Sequence, residues 1–94
     1  MIEYHVTAKG VVQGVCFRSL VKKLADSHHL YGWVKNLDNG SVLICIQSEE
    51  KTLHQFLDEL RKNPGRALIK EFIVEKKNSS LRFDHFEILR AHYS

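Results

Sequence analysis

The hydrophobic period changes several times along the chain, and those changes constrain the fold more than any single residue does. Residues 2–9, IEYHVTAK, alternate, with Ile2, Tyr4, Val6 and Ala8 on one face and Glu3, His5, Thr7 and Lys9 on the other. A period of two marks a half-buried β-strand. After a loop over 10–17 the period lengthens. Phe17, Leu20, Val21, Leu24 and His28 fall on one side of a helix over 18–29, with Arg18, Lys22, Lys23 and Asp26 turned outward. Residues 31–36, YGWVKN, return to strand character, being rich in aromatic and β-branched types.

LDNG at 37–40 is a hairpin signal, because Asn39 and Gly40 accept positive φ cheaply. SVLICIQ at 41–47 is the returning strand, with Val42, Ile44 and Ile46 on one face. Ser48 reads as an N-cap, followed by Glu49 and Glu50 where a helix dipole favours acid. Leu53, Phe56, Leu57 and Leu60 form the buried stripe of a helix over 49–62, which Asn63-Pro64-Gly65 stops. Residues 68–76 read as a strand, KNSS at 77–80 as a turn, and 81–90 hold a last strand ending near Arg90.

The order is β-α-β-β-α-β, with one extra strand before the last. It predicts an α+β, ferredoxin-like sandwich: a mostly antiparallel sheet, two helices on one face, strands one and three central, and an extra edge strand. The 94 residues are expected to form one domain. Such a fold hosts many functions, so function must come from a site.

Composition excludes several classes. At 44% hydrophobic and 27% charged residues, the chain reads as folded rather than disordered. Its net charge of +3 comes from dispersed residues, with no basic tail for nucleic acid. No apolar stretch approaches the ~20 residues of a membrane span, and MIEYHVTAKG lacks signal-peptide features. The expectation is a soluble, cytoplasmic monomer without nucleic-acid or membrane partners. Cys16 and Cys45 match no zinc or redox spacing and read as reduced thiols. The histidines form no H-x-x-x-H pair and read as surface or helix-end residues, so no metal and no cofactor is expected.

The loop GVVQGVCFR, residues 10–18, supports two readings. Its glycines can simply serve the turn, with Arg18 a solvated charge. Alternatively, Gly14 curls the backbone into a nest of N–H groups ahead of a helix N-terminus, a ready anion site. Arg18 would then add a rigid fork of donors suited to phosphate. Asn36, at a strand end before the hairpin, reads either as a turn residue or as a fixed neutral amide.

GVVQGVCFR, with the asparagine of GWVKNLDNGSV following 18 residues after Arg18, resembles the two signature segments of the acylphosphatase family. The element order agrees, and FEILR is similar to the family's closing strand. The resemblance runs from about residue 4 onward. It implies that Arg18 binds the substrate phosphate. The N–H groups of Gln13, Gly14, Val15, Cys16 and Phe17 would cradle its oxygens, and Asn36 would orient the attacking water. Val11 departs from the family, which often carries a basic residue there. The implied reaction is hydrolysis of a small acyl phosphate to carboxylate and inorganic phosphate, without metal.

By motif the implied site has no nucleophilic side chain in reach, no metal ligand and no obvious general acid. That suits an acyl phosphate, whose carboxylate leaving group departs unprotonated at neutral pH. It does not suit a phosphate monoester, whose alkoxide needs help. Two other readings stand beside this one. A non-catalytic domain binding acyl or carbamoyl phosphate would share both residues. An RNA-binding module would share the strand order, but it needs exposed aromatics that SVLICIQ lacks.

Overall fold

The structure, a computed structural model, describes residues 2–90. In chain order the elements are β1 (Ile2–Val11), α1 (Phe17–Ser27), β2 (Tyr31–Asn36), β3 (Val42–Gln47), α2 (Glu50–Lys62), β4 (Leu68–Asn78) and β5 (Phe86–Leu89). The sheet order is β4-β1-β3-β2-β5, so β1 and β3 are central as expected. β4 pairs antiparallel with β1 and completes the split βαβ pattern. The additional strand is therefore the last one, β5, which pairs parallel with β2 at the opposite edge. Sequence order alone had placed the extra strand before the last. Only pairing tells which of two late strands closes the pattern.

One face of the sheet is covered by both helices. Tyr4, Val6 and Ala8 of β1 join Val42, Ile44 and Ile46 of β3 in a single buried cluster. Phe17, Val21 and Ala25 of α1 and all four predicted residues of α2 belong to it too, with Val34 of β2 and Phe86 of β5. A fully buried large apolar side chain contributes roughly 1.5–3 kcal/mol. Helix propensities differ by less than ~1 kcal/mol among ordinary residues. The shared seam thus decides where the helices lie. Ile2, expected on the inner face, stays exposed at the strand's start.

Several boundaries shift for identifiable reasons. β1 runs on to Val11, because a register shift between Lys9 and Gly10 lets Gly10 and Val11 pair with Ile69 and Leu68. The predicted loop shortens accordingly. β4 extends to Asn78, which pairs with Ile2, and so takes up the first part of the expected KNSS turn. α1 ends at Ser27 rather than 29. His29 adopts a left-handed φ of 56°, His29 N donates to Asp26 O, and Leu30 N donates to Ala25 O. These bonds form a Schellman motif with histidine where glycine usually sits, and buried Leu30 packs behind it. His28 leaves the buried stripe and bonds Glu59 across the two helices. The cap of α2 is Glu49, while the Ser48 hydroxyl donates to the Glu49 carbonyl instead of capping.

Gly32 sits inside β2 with φ 150°, and a Cβ built there would lie 1.8 Å from the Cys45 carbonyl oxygen. Gly40, in the hairpin, has open space at the same position. Gly32→Ala is expected to lose more than about 2 kcal/mol in urea unfolding, because backbone must move. Gly40→Ala should cost only the left-handed penalty of about 1–2 kcal/mol.

Candidate active site

β1 and β2 are both antiparallel to β3, so they run the same way and end at the same edge of the sheet. The segment after β1 and the hairpin after β2 therefore meet there. Gln13 joins them: its side-chain Nε2 donates to Leu37 O and to Ser41 O, each at 2.8 Å. Ser41 O also accepts from Leu37 N, which closes the hairpin. Sequence reasoning assigned Gln13 only a backbone role and missed this brace. A lone amide in a turn gives no sign of a partner 24 or 28 residues away.

Beyond Gln13 the backbone turns left-handed twice, at Gly14 (φ 74°) and at Cys16 (φ 61°, ψ 26°). Gly14 pays little for this conformation, whereas Cys16 carries the cost of a side chain there. Cys16 is the N-cap of α1, and its side chain makes no capping bond. The first turn holds no acidic residue either. The opening N–H groups of a helix lack intrahelical partners, and they carry the positive end of its dipole. Here neither a cap nor a carboxylate on the helix neutralises them.

These groups border a cavity of about 340 Å³ lined by Gly14, Cys16, Phe17, Arg18, Asn36 and Arg90, among others. The structure thus brings Arg18 and Asn36 together with three of the five predicted loop residues. Gln13 and Val15 do not line it. The Gln13 side chain is in the brace, and Val15 packs against the core. Val11 is 53% exposed, pairs with Leu68 and also lies off the cavity.

Arg18 is held by β5, since its Nη1 donates to Leu89 O at 3.1 Å. One of its donors is thereby fixed, and the fork is not left to swing freely. Asn36 ends β2 opposite Val42. Its Oδ1 is buried and has no hydrogen-bond partner in the described structure. Such an acceptor costs about 1–3 kcal/mol if nothing satisfies it. The Tyr4 hydroxyl, near the start of β1, is the other such atom among the described residues.

Two features of the cavity depart from the sequence reading. Arg90 adds a second guanidinium at its rim. The only sequence cue was the arginine closing FEILR, which carried no role. Cys16 and Ser19 also line the cavity, so side chains with nucleophilic atoms are present although no motif announced them. Among the described residues, no carboxylate lines this cavity. The other thiol, Cys45, is buried in β3, and burial together with the neighbouring Glu3 carboxylate pushes its pKa far up.

The fold and cavity define an α+β domain with a cationic, partly backbone-lined site at the ends of parallel-running strands. The acylphosphatase family model matches residues 4–88, and the chain belongs to the acylphosphatase family. It is 42% identical over 87 residues to an acylphosphatase of Geotalea uraniireducens (strain Rf4), covering 93% of this chain and 96% of that one. The crystal structure of an acylphosphatase from Bacillus subtilis superposes with a TM-score of 0.86 at 32% identity, covering 95% and 99% of the two chains. A crystal structure of T. kodakarensis HypF contains a similar region, with a TM-score of 0.85 and 29% identity. That match spans 97% of this chain but 12% of HypF.

The two thiols are expected to separate cleanly in the folded state. Iodoacetamide should add one label, on exposed Cys16, with Cys45 labelled only after denaturation. Peptide mass spectrometry reads the result.

Proposed function

We propose that this chain is an acyl phosphate hydrolase in which water attacks a phosphate held at the α1 N-terminus. The observation that carries the reading is the unpartnered Asn36 Oδ1. It is a buried acceptor beside a cavity that also holds Arg18 and uncapped helix amides. A water bound to Oδ1 would be satisfied there and oriented toward the phosphate. The loop N–H groups at Gly14, Cys16 and Phe17, which line the cavity, and the Arg18 fork would take the negative charge of the phosphoryl oxygens. Phosphoryl transfer passes through a loose transition state, so positioning and charge stabilisation supply most of the rate. Asn36 is no base, and a metaphosphate-like centre needs none. The carboxylate leaving group departs without a proton at neutral pH.

Arg90 would add long-range attraction for the dianion, since it is exposed at the rim. The absence of carboxylates among the described lining residues leaves a hard cation no anionic protein ligand at the phosphate. This supports a metal-independent step. Water is preferred to Cys16 as nucleophile, because Oδ1 offers a place for the water.

A binding-only reading draws on the HypF likeness, in which this unit is a small part of a larger chain. The relatives matched over nearly their full length favour a free-standing enzyme. An RNA-binding role is disfavoured because β3 carries no aromatic residue and its end is bonded to residues 81–83. Gln47 there donates to Leu81 O and accepts from Phe83 N. Among the described residues, no helix is long and apolar enough to cross a membrane. We take the protein as a cytoplasmic monomer of one domain, consistent with its two free thiols.

With benzoyl phosphate as substrate, Arg18→Ala should abolish turnover and Arg18→Lys should recover little, because a point charge lacks the fork. Asn36→Ala should lower kcat by about 10²-fold or more while inorganic phosphate still inhibits competitively. Substantial hydrolysis by Arg18→Ala would overturn its role. Cys16→Ala should keep most of kcat; complete loss in a folded variant would instead assign the attack to its thiol. Chelators should leave the rate unchanged, and inorganic phosphate should slow alkylation of Cys16.

A further inference from the structure

We propose that the helix-free face of the sheet carries a binding site for a zinc-class divalent cation, formed by Glu3, His5 and Cys45. A carboxylate oxygen, an imidazole nitrogen and the thiol sulfur of these residues all lie within 4.8 Å of one another. Their convergence is built into the sheet. His5 and Cys45 are register partners on β1 and β3, and Glu3 lies two residues from His5 on the same face. The backbone therefore holds all three donors in place before any cation arrives.

The donor set selects the ion. One sulfur, one nitrogen and one oxygen suit zinc or cobalt(II), and thiolate disfavours magnesium and calcium. Tetrahedral zinc with bonds of about 2.0–2.3 Å places its ligand atoms roughly 3.3–3.8 Å apart. From the present spacing the widest pair closes by about an ångström and the His5–Glu3 pair, at 2.6 Å, opens by less than that, both within reach of side-chain rotation. The fourth position falls to water. The pocket is sheltered but reachable: Cys45 is buried, while the His5 and Glu3 side chains are 21% and 13% exposed.

In the metal-free state the same atoms bond one another. His5 Nε2 donates to Glu3 Oε2 at 2.6 Å, and Gln47 Nε2 donates to Glu3 Oε1. Burial pushes the Glu3 carboxyl up, but hydrogen bonds from His5, Cys45, Gln47 and Ser79 together bring it below its ordinary value. Binding replaces the S–H bond of Cys45 with a metal–sulfur bond and releases one proton to solvent. The cation then bridges β1 and β3 at residues far along the strands from the phosphate loop. Its effect is stabilisation of the sheet, separate from turnover.

Sequence reasoning expected no metal, because ligand motifs are sought at short spacing. Here the thiol and the imidazole lie 40 positions apart in sequence and meet only through strand pairing. The structure also supplies a reporter. Trp33, the only tryptophan, is the register partner of Cys45 on β2, and its ring lies 6.0 Å from that of His5.

The test is titration of the untagged, chelator-stripped, reduced full chain with Co²⁺. Expected are a thiolate-to-cobalt charge-transfer band saturating at one equivalent, parallel quenching of Trp33 emission, displacement by Zn²⁺ and a raised melting temperature with Zn²⁺. Cys45→Ser should lose the band. His5→Gln should weaken binding by about tenfold or more. Circular dichroism verifies that each variant folds. If Cys45→Ser does not fold, His5→Gln, at a part-exposed position, decides alone. No band in the parent chain, a band that survives Cys45→Ser and so belongs to Cys16, or unchanged affinity in His5→Gln would each overturn the proposal.

Discussion

The two hydrogen bonds from the Gln13 amide hold the candidate site together. The split βαβ pattern puts β3 between β1 and β2, so the ends of those two strands are separated by roughly 10 Å. The loop after β1 carries the backbone amides, and the end of β2 carries Asn36. Both border the same cavity. Gln13 reaches past the start of β3 to Leu37 O and Ser41 O and fixes one against the other. One neutral side chain that itself stays off the cavity thus ties the loop to the hairpin beside Asn36.

Electrostatics at this end of the molecule come from omission as much as from placement. α1 begins without a capping side chain and without an acidic first turn. α2, with Glu50 in its first turn and Arg61 and Lys62 in its last, shows the ordinary arrangement that complements a dipole. The contrast within one chain leaves the α1 N-terminus with its positive partial charge uncompensated on the helix, as the proposed phosphate site requires. Arg18, steadied by Leu89 O, and Arg90 at the rim add formal charge to that partial charge.

Much of this was legible in the sequence, because alternation and helical spacing report directly on which side chains face the core. The four buried residues of α2 and the inward face of β3 follow from period alone. What escaped was pairing and end chemistry. The bulge at Gly10 that lengthens β1, the left-handed His29 that ends α1, and the identity of β5 as the added strand depend on partners distant in sequence. So do the Gln13 brace and the meeting of Glu3, His5 and Cys45. Arg18 and Asn36 were readable because a motif preserves their spacing. Arg90 was not, since nothing in a strand-ending arginine says which cavity it borders.

β5 is short, lies at the sheet edge, and yet supports the site through contacts of long sequence separation. Leu89 O receives Arg18, and Phe86 O receives Lys22 at 2.9 Å. These are closures of 71 and 64 residues, entropically among the later ones a chain makes. Arg18 precedes the carbonyl it rests on by most of the domain. The rest that holds Arg18 therefore forms only when β5 docks beside β2.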